Sequence, residues 1–342
     1  EIMPSLVGSE MCIRDSAYPI RISVKEGTDM TKLAPIFELT PGATISPANG
    51  SVQNFTTSVR YTVTSEDKAW HRVYAITVRE QKASNIPTTY HFEKVRIQKN
   101  IWQEFYEEQE SGDELTWASG NSGFKLAMSE AKTEEYPTVQ SANGKVGKCA
   151  KLETRSTGEF GNMVGMPIAA GNLFIGNFSI LNAIADPLGA TRFGTPFYNK
   201  PLRLTGYYKY KSGEKFYEHG EYTSRKDIFN IYAIFYDGVK YDSAGKRTDV
   251  TLDGNLPNQN YEHPNMVALA LVSNPQETEG DEWKFFDIPF DYQRYGKKID
   301  EARLAKGEYK IGIIFASSKD GATFEGAPGS TLLIDEVELI YE

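Results

Sequence analysis

A sugar-binding site needs flat aromatic side chains, which pack on the apolar faces of pyranose rings, and a few amides or carboxylates that bond the hydroxyls. Trp117 lies in the small, Gly-rich segment 116–123, which also contains Asn121. Tyr208 and Tyr232 lie in strand-like segments. We predict that these four side chains contact a ligand. The alternatives are an aromatic lid on the core for Trp117 and ordinary sheet-surface packing for the two tyrosines.

Two carboxylates extend this candidate site. Asp320 and Glu325 are five positions apart in the Gly-containing loop 317–326, which joins two strongly apolar segments. Because loops on rigid scaffolds carry function disproportionately, we predict that both carboxylates lie at the rim of a site. The alternative is a structural loop in which the carboxylates accept hydrogen bonds from backbone N–H groups.

Catalytic motifs are sparse in this sequence. Glycoside hydrolysis uses two carboxylates about 5 to 10 Å apart, and the 46 Asp and Glu residues offer chance pairs of which none stands out. The sequence has no Gly-x-Ser-x-Gly, His-Glu-x-x-His or phosphate-loop motif, and its four His residues lie far apart. Cys149 has no neighbouring His or Cys, so we interpret it as a small buried hydrophobic residue.

Length and charge limit the number of domains and the classes of partner that we expect. A chain of 342 residues predicts two domains. The formal net charge is -9, with no basic run, and binding to phosphate backbones depends on clustered cations, so nucleic acid is not an expected partner. No segment has the roughly 18 consecutive apolar residues of a membrane span, so none is expected.

The first sixteen residues are set apart from the fold. Leu6 to Ser16 match the translation of a common transposase sequencing adapter. We therefore interpret 1–16 as an artefactual segment fused to a truncated reading frame, with a natural N-terminal arm as the alternative. A signal peptide and a lipid anchor are expected in the missing upstream sequence.

Residues 17–83 are short strand candidates separated by turns. Apolar and polar residues alternate in 59–64 and again in 73–78, which predicts a hairpin with one face inward. The stretches "FELTPGATISPANGSV" and "RYTVTSEDKAWHRVYAITV" resemble the small immunoglobulin-like repeats of Bacteroidetes surface proteins. The resemblance implies a small immunoglobulin-like β-sandwich that acts as a spacer.

The remainder is predicted to be one larger all-β domain. The polar, Pro-containing stretch 84–90 is predicted to be a linker. From 91 to 342, strand candidates alternate with long polar loops, and only 99–109 and 300–304 have helical character. No repeat period is visible, so a sandwich is favoured over a propeller.

Segment 227–236 shows how the two faces of one strand divide. The alternate residues of one face are wholly apolar and are predicted to be core: Phe229, Ile231, Ala233 and Phe235. The other face carries Asn230, Tyr232 and Tyr236. With Tyr208 and Tyr210, these residues are predicted to form an aromatic outer face if the two strands pair.

Four long, ordered stretches carry a second resemblance: "IAAGNLFIGNF", "DPLGATRFGTPFYNKPLRLTGYYKYKSGE", "DIFNIYAIFYD" and "EYKIGIIFASSKDGATFEGAPGSTLLIDEVELIYE". Over 91–342 the chain resembles the "putative carbohydrate metabolism domain" family of gut Bacteroidetes. The resemblance implies a carbohydrate-binding-type β-jelly roll at the C-terminus of exported, lipid-anchored surface proteins of glycan-foraging bacteria.

The same resemblance implies a structural cation. Many sugar-binding jelly rolls hold a calcium ion between an acidic residue of the first strand and another of the last, and Glu93 and Asp335 occupy those places. Calcium takes about six to eight oxygen ligands, of which these carboxylates could supply part. A surface Glu and an edge-strand Asp are the alternative, and no other cofactor is expected.

These observations predict a non-catalytic, cell-surface or secreted carbohydrate-binding or adhesion module. Its expected partners are an oligo- or polysaccharide and other outer-membrane glycan-uptake proteins. The alternatives are a glycoside-active enzyme using a carboxylate pair and a structural stalk or assembly component. An exposed aromatic platform favours binding, a deep pocket with two acids favours the enzyme, and a sheet face filled by its own loops favours the stalk.

Overall fold

The structure is a computed structural model that describes residues 17–342 apart from 26, 82, 100, 110, 111, 182 and 184. It divides into two compact units, one ending at Ala83 and the other beginning at Ser84. Strands dominate both units, as the all-β prediction requires. The segment interpreted as adapter-derived, 1–16, lies outside the described residues.

The first unit is built on one four-stranded sheet. Its strands are β1 Tyr18–Lys25, β2 Thr44–Ser46, β3 Val59–Thr64 and β4 His71–Gln81. They are ordered β1-β4-β3-β2, with β1 parallel to β4 and the predicted hairpin β3–β4 antiparallel. A short 3₁₀ helix, Met30–Lys32, lies in the segment after β1. Phe55 packs with Tyr61, Ile76 and Val78 on the buried face of the sheet.

The second unit contains the remaining strands. They are β5 Thr89–Tyr90, β6 Val95–Gln98, β7 Trp102–Glu108, β8 Glu114–Thr116, β9 Thr138–Ser141, β10 Cys149–Glu153, β11 Arg155–Ser156, β12 Ile168–Ala169, β13 Asn172–Phe174, β14 Gly176–Phe178, β15 Thr191–Phe193, β16 Thr195–Pro196, β17 Pro201–Lys211, β18 Phe216–Glu218, β19 Glu221–Thr223, β20 Asn230–Asp237, β21 Val239–Tyr241, β22 Arg247–Asp249, β23 Leu252–Asp253, β24 Met266–Leu271, β25 Lys284–Pro289, β26 Tyr309–Ala316 and β27 Thr331–Tyr341.

Helices of the second unit are short. The α-helices are α1 Asn121–Ala127, α2 Gly158–Met163, α3 Pro187–Ala190 and α4 Glu301–Leu304, and the 3₁₀ helices are Thr133–Glu135, Pro257–Gln259 and Gly321–Thr323. Among the described residues, no helix has both the length and the apolar character needed to cross a membrane.

Two sheets face each other in the second unit. The first sheet is ordered β25-β17-β27-β10-β9, with β5 also paired to β27. The second sheet is ordered β13-β26-β20-β24, with β16 also paired to β26. Alternate residues of both sheets point inward and form the main core, because side chains one position apart in a strand face opposite sides. The predicted core set of β20 belongs to it: Phe229, Ile231, Ala233 and Phe235.

The outer face of the second sheet is also buried. Tyr232, Tyr236 and Ile314 on that face pack against Leu252 and Tyr261 from the segment that follows β22. The predicted outer aromatic face is therefore wrong: β17 and β20 lie in different sheets, and loops of the same unit cover the tyrosines of β20. On the outer face of the first sheet, Val139 of β9 packs in a smaller cluster with Phe124 and Tyr136, and among the described residues no buried cluster covers that face of β17 and β25.

Two local predictions need correction. Segment 84–90 is not a linker, because Ile86 and Tyr90 are buried in the main core and Asn85 Nδ2 donates to the Pro196 carbonyl at 2.8 Å. The predicted helix at 99–109 is wrong, because most of that segment forms β7, Trp102–Glu108, which pairs with both β6 and β8. The other helical prediction, 300–304, is confirmed by α4. The carboxylate of Asp300 caps the N-terminus of this helix.

Candidate functional site

Trp117 belongs to the main core. Its side chain is only 1% exposed, and its ring lies 5.0 Å from Tyr90, 5.5 Å from Phe92 and 5.8 Å from Phe315. A ring surrounded by other rings in this way has no face left for a sugar. The structure therefore corrects the prediction of a ligand-facing Trp117 in favour of the alternative, core packing.

Asn121 is a structural cross-link. It is 0% exposed, its Nδ2 donates to the Thr138 carbonyl at 2.7 Å, and its Oδ1 accepts from the Thr138 N–H at 3.1 Å. Both polar atoms of the amide are thus used to tie α1 to β9. The prediction that Asn121 bonds a ligand is corrected for the same reason as that for Trp117: the group lies inside the fold.

Tyr208 and Tyr232 are both interior residues, 6% and 2% exposed. The Tyr208 ring packs 4.7 Å from Phe229, and the Tyr232 ring lies 5.1 Å from Tyr261. Burial raises the pKa of both phenols above its ordinary value, so both are neutral at physiological pH. Neither ring offers the open face that a sugar platform requires.

Asp320 and Glu325 lie on the predicted loop and are engaged in ion pairs there. Arg225 links Asp320, at 2.5 Å, to Glu218, at 2.9 Å. Glu325 Oε1 lies 3.3 Å from Nδ1 of His219. These contacts hold the loop against the β18–β19 hairpin, which is the structural role considered as the alternative. A role at the rim of a site stays a prediction for both carboxylates.

Glu93 and Asp335, the predicted calcium ligands, both accept hydrogen bonds from the backbone of one loop. Asp335 Oδ2 accepts from the N–H groups of Lys145 and Val146 at 2.6 and 3.0 Å. Glu93 Oε1 accepts from the N–H of Lys148 at 2.7 Å. Burial raises the pKa of Asp335 to about 6. We call loop 143–148 with these two carboxylates the clamped loop.

The donor set of the clamped loop does not suit a calcium ion. Backbone N–H groups point at the carboxylate oxygens that would have to face the cation, and calcium accepts oxygen ligands only. Among the residues that the structure describes, no group of three or more His, Cys, Asp and Glu side chains is arranged to hold a metal. The calcium hypothesis stays a prediction. Of its alternative, Glu93 is exposed as stated, but Asp335 is buried on β27, a central strand of the first sheet and not an edge strand.

An exposed aromatic surface does exist, on the outer face of the first sheet. Tyr207 and Phe285 are cross-strand partners of β17 and β25, with ring centroids 5.2 Å apart, and Phe285 is 57% exposed. Trp283 precedes Phe285 by two positions and extends the same face. We call Tyr207, Trp283 and Phe285 the aromatic strip.

Two lysines border the aromatic strip. Lys145 Nζ lies 5.1 Å from the Tyr207 ring centroid, and Lys209 Nζ lies 5.2 Å from that of Trp283. Cations over ring faces are attracted to the π electrons and fix the orientation of both partners. Because Lys145 belongs to the clamped loop, the hydrogen bonds to Glu93 and Asp335 help to position the lysine that borders Tyr207.

An open cleft adjoins the strip at the edge of the sandwich, where β24 and β25 lie side by side. Its volume is about 460 Å³, and it shares Phe285 with the strip. The polar groups along it include Asn274, Asp287, Asp291 and Arg294. Arg203 holds Asp287 through Nε to Oδ1 at 2.7 Å and through Nη2 to Oδ2 at 2.5 Å. Rings, an amide and charged groups are the components of a sugar-binding surface.

Acid catalysis needs a carboxyl whose pKa is raised and which faces the substrate. Among the described carboxyl groups, burial raises the pKa of Glu107, Asp227 and Asp335. All three lie inside the fold, and Asp227 Oδ2 already accepts from Ser318, at 2.6 Å, and Ser330, at 2.7 Å. Asp335 is the cross-strand partner of Tyr207, but it is 0% exposed and both of its oxygens accept from N–H groups, so none of the three carboxyl groups faces a substrate at the exposed strip.

A signal for the strip was present in the sequence. Tyr207-Tyr208 and Phe285-Phe286 are consecutive aromatic residues in two strand candidates. Since neighbouring residues of a strand face opposite sides, one ring of each pair must point away from the core. Choosing Tyr208 for the outer face reversed the two sides, and a one-residue error of this kind inverts a whole strand.

Comparison with known proteins places this chain in a family. Residues 91–340 match the model described as "Putative carbohydrate metabolism domain", and residues 5–78 match the model "SGBP, N-terminal". None of the curated proteins is a significant match.

Two solved structures are similar over most of the chain. One, a "putative glycoside hydrolase" from Bacteroides thetaiotaomicron VPI-5482, is 45% identical, with 95% of this chain and 91% of that chain covered and a TM-score of 0.67. The other, a "putative glycoside hydrolase" from Bacteroides vulgatus ATCC 8482, is 49% identical, with 76% and 100% covered and a TM-score of 0.70. The chain therefore belongs to the "putative carbohydrate metabolism domain" family, preceded by a domain of the SGBP N-terminal type.

Proposed function

We propose that this chain is a non-catalytic glycan-binding module of a bacterial cell surface, and that the aromatic strip is its sugar platform. The observation that carries the proposal is the pair Tyr207 and Phe285, two rings 5.2 Å apart on an open sheet face with Phe285 57% exposed. Water contact of so much apolar ring area is unfavourable, and stacking of a pyranose ring removes it.

The surroundings of the strip supply the rest of a sugar site. Lys145 and Lys209 border the rings, and Asp287 with its partner Arg203 lies on the neighbouring positions of the same face. Lysine and guanidinium groups donate hydrogen bonds and carboxylates accept them, so the hydroxyl groups of a sugar would find both kinds of partner. The face is open along β25, which suits a chain of sugars better than a single residue.

Location and partners belong to the same proposal. The N-terminal family model is named for surface glycan-binding proteins, which supports a position at the outer surface. The proposal adds a lipid anchor and other outer-membrane glycan-uptake proteins as partners. A glycan held at the strip would then be captured near such proteins.

The test compares ring removal at the strip with ring removal elsewhere. A glycan array first identifies a bound saccharide, and its affinity is then measured by calorimetry for Phe285→Ala and Trp283→Ala. Loss of one stacking ring should weaken binding about tenfold or more, equivalent to roughly 1.4 kcal/mol. Tyr222→Ala is the matched control, because Tyr222 is also 57% exposed and packs 5.3 Å from Tyr217 on the β18–β19 hairpin. Equal affinity of all three variants would refute the proposed platform.

A glycoside-active enzyme is the second candidate, because both similar solved structures are described as glycoside hydrolases. Its carboxylates would be Asp287 and Asp291, which line the cleft beside Phe285. Incubation of the bound saccharide with the protein, followed by detection of new reducing ends, separates the two functions. Turnover that disappears in Asp287→Asn or Asp291→Asn while affinity persists would establish the enzyme instead of the binding module.

A further inference from the structure

The second unit contains an apolar cavity that the proposed sugar platform does not use. It lies between α1, α2 and the segments around β12 and β14, and its volume is about 130 Å³. Four phenylalanines line it: Phe124, Phe160, Phe178 and Phe324. Aliphatic residues, Met166 and Ile168 among them, complete the wall. We call this feature the phenylalanine cavity.

Three polar side-chain atoms in the wall of the cavity are already paired: Thr138 Oγ1, Thr157 Oγ1 and Asn172 Oδ1. Thr138 Oγ1 donates to the Asn172 carbonyl at 2.8 Å, and Asn172 Oδ1 accepts from the Gly120 N–H at 2.7 Å. Thr157 Oγ1 donates to the Met166 carbonyl at 2.5 Å. The described residues that line the cavity include no Asp, Glu, Lys, Arg or His. A charged ligand would lose its hydration here without gaining a partner of opposite charge, which disfavours its binding.

The mouth of the cavity is apolar as well. Phe160 and Leu126, which line it, are 44% and 42% exposed. Met163, in the same helix as Phe160, is 84% exposed, and Leu181, in the segment between the lining residues Phe178 and Ala183, is 91% exposed. A cluster of exposed large apolar side chains around a cavity marks a binding surface more often than a plain solvent face.

The size of the cavity selects the ligand. An apolar protein cavity of about 150 Å³ stays dry and binds benzene, and the phenylalanine cavity, at about 130 Å³, is close to that. We propose that this cavity is a binding site for an uncharged, single-ring apolar molecule. The phenylalanine walls contact the ring, and the exposed mouth contacts whatever substituent the ring carries.

Fluorobenzene is the probe, observed through its ¹⁹F signal in the presence of the whole chain, and 4-fluorobenzoate is the charged comparison. Saturable binding of fluorobenzene at submillimolar to millimolar concentration is expected, with at least tenfold weaker binding of 4-fluorobenzoate. Absence of saturable binding, or equal binding of the two probes, would overturn the proposal.

Two variants locate the site. Ala183→Leu fills the cavity from its buried wall, and Ala322→Leu narrows it from an exposed position. Each should weaken fluorobenzene binding about tenfold or more, whereas Ala244→Leu, the same change at an exposed turn elsewhere, should leave it unchanged. Circular dichroism checks that each variant is folded; if Ala183→Leu is not, Ala322→Leu carries the test alone. Unchanged binding in the folded variants would contradict the assignment.

The outcome is independent of the sugar platform. Phe285→Ala removes a ring of the aromatic strip, which lies on the outer face of the first sheet and shares no lining residue with the phenylalanine cavity. It should therefore leave fluorobenzene binding unchanged. Loss of fluorobenzene binding in Phe285→Ala would show that fluorobenzene binds at the aromatic strip. That result would refute the cavity site, whatever the result with glycans.

Discussion

The rings around Trp117 and the rings of the aromatic strip have similar spacings but different surroundings. Around Trp117, rings of Tyr90 and Phe92 lie 5.0 and 5.5 Å away, and the tryptophan is 1% exposed. In the aromatic strip the rings of Tyr207 and Phe285 are 5.2 Å apart, and Phe285 is 57% exposed. Ring spacing alone therefore says nothing about function.

Burial divides the two groups into different roles. Each ring around Trp117 is covered by both sheets, so its contacts contribute to the free energy of folding. Phe285 of the strip is 57% exposed, so a large part of its possible contact energy is still available to a ligand. The comparison teaches that a sugar platform must be sought where an aromatic side chain keeps one face in water.

The largest expected effect comes from Trp117→Ala. Removing a packed tryptophan leaves a cavity and should lower the free energy of unfolding of the second unit by about 3 to 5 kcal/mol. Urea denaturation measures it, with Trp283→Ala as the matched change in the strip, for which less than about 1 kcal/mol is expected. Similar losses in both variants would remove the distinction between the two groups.

A smaller effect concerns Asp335, which supports the strip through the clamped loop. Burial raises the pKa of its carboxyl from 3.8 to about 6, so the folded protein binds this proton more tightly than the unfolded chain does. The stabilisation by this proton is complete below about pH 4 and is lost as pH rises through about 6, a change of about 2 to 3 kcal/mol.

Urea denaturation of the wild type and Asp335→Asn between pH 4 and 7 measures this linkage. Relative to the variant, the wild type should lose stability as pH rises across that window, because the variant has no proton to release. The opposite slope would show that the N–H groups of Lys145 and Val146 stabilise the ionised carboxylate more than burial disfavours it.

The pair Arg203 and Asp287 tests a polar contact on the strip side. Its side chains are 43% and 38% exposed, so solvent screens the attraction and a double-mutant cycle should give a coupling of only about 0.2 to 1 kcal/mol. Thermal unfolding of Arg203→Ala, Asp287→Ala and the double variant provides the cycle. A coupling of several kcal/mol would mean that this face is as well packed as the surroundings of Trp117.

No effect at all is expected from chelation. Because N–H groups bond Glu93 Oε1 and both oxygens of Asp335, we expect the clamped loop to hold its shape without a cation. Melting temperatures with a calcium chelator and with excess calcium should coincide, since only a ligand of the folded state stabilises by mass action. A higher melting temperature in calcium, with the ion found by elemental analysis, would restore the calcium hypothesis.

Much of the fold followed from local pattern. Strand β27 was predicted as 331–341 and is Thr331–Tyr341 in the structure, and the core set of β20 was correct because strict alternation leaves one assignment. Segment 99–109 was predicted to be helical and forms β7. Its pairing with two other strands is a tertiary contact that local propensity does not contain.

The sequence predicted the type of side chain at the candidate site but not the residues that form it. Its aromatic and carboxylate chemistry was expected, but Trp117 and Tyr208 proved to be interior and Tyr207 and Phe285 exterior. Adjacent tyrosines in a strand are equivalent in the sequence, and only the packing of one sheet on the other decides which of them faces the core.

The sequence by itself determined the all-β class, the two-part organisation, the family and the apolar face of each strong strand, because these follow from composition, period and matched stretches. The tertiary structure alone decided which aromatic faces stay open. Leu252, 16 residues after Tyr236, and Tyr261, 29 residues after Tyr232, help to cover the outer face of the second sheet, whereas among the described residues no buried cluster covers the outer face of β17 and β25 in the first. Coverage by distant segments is a property of packing, and no local pattern records it.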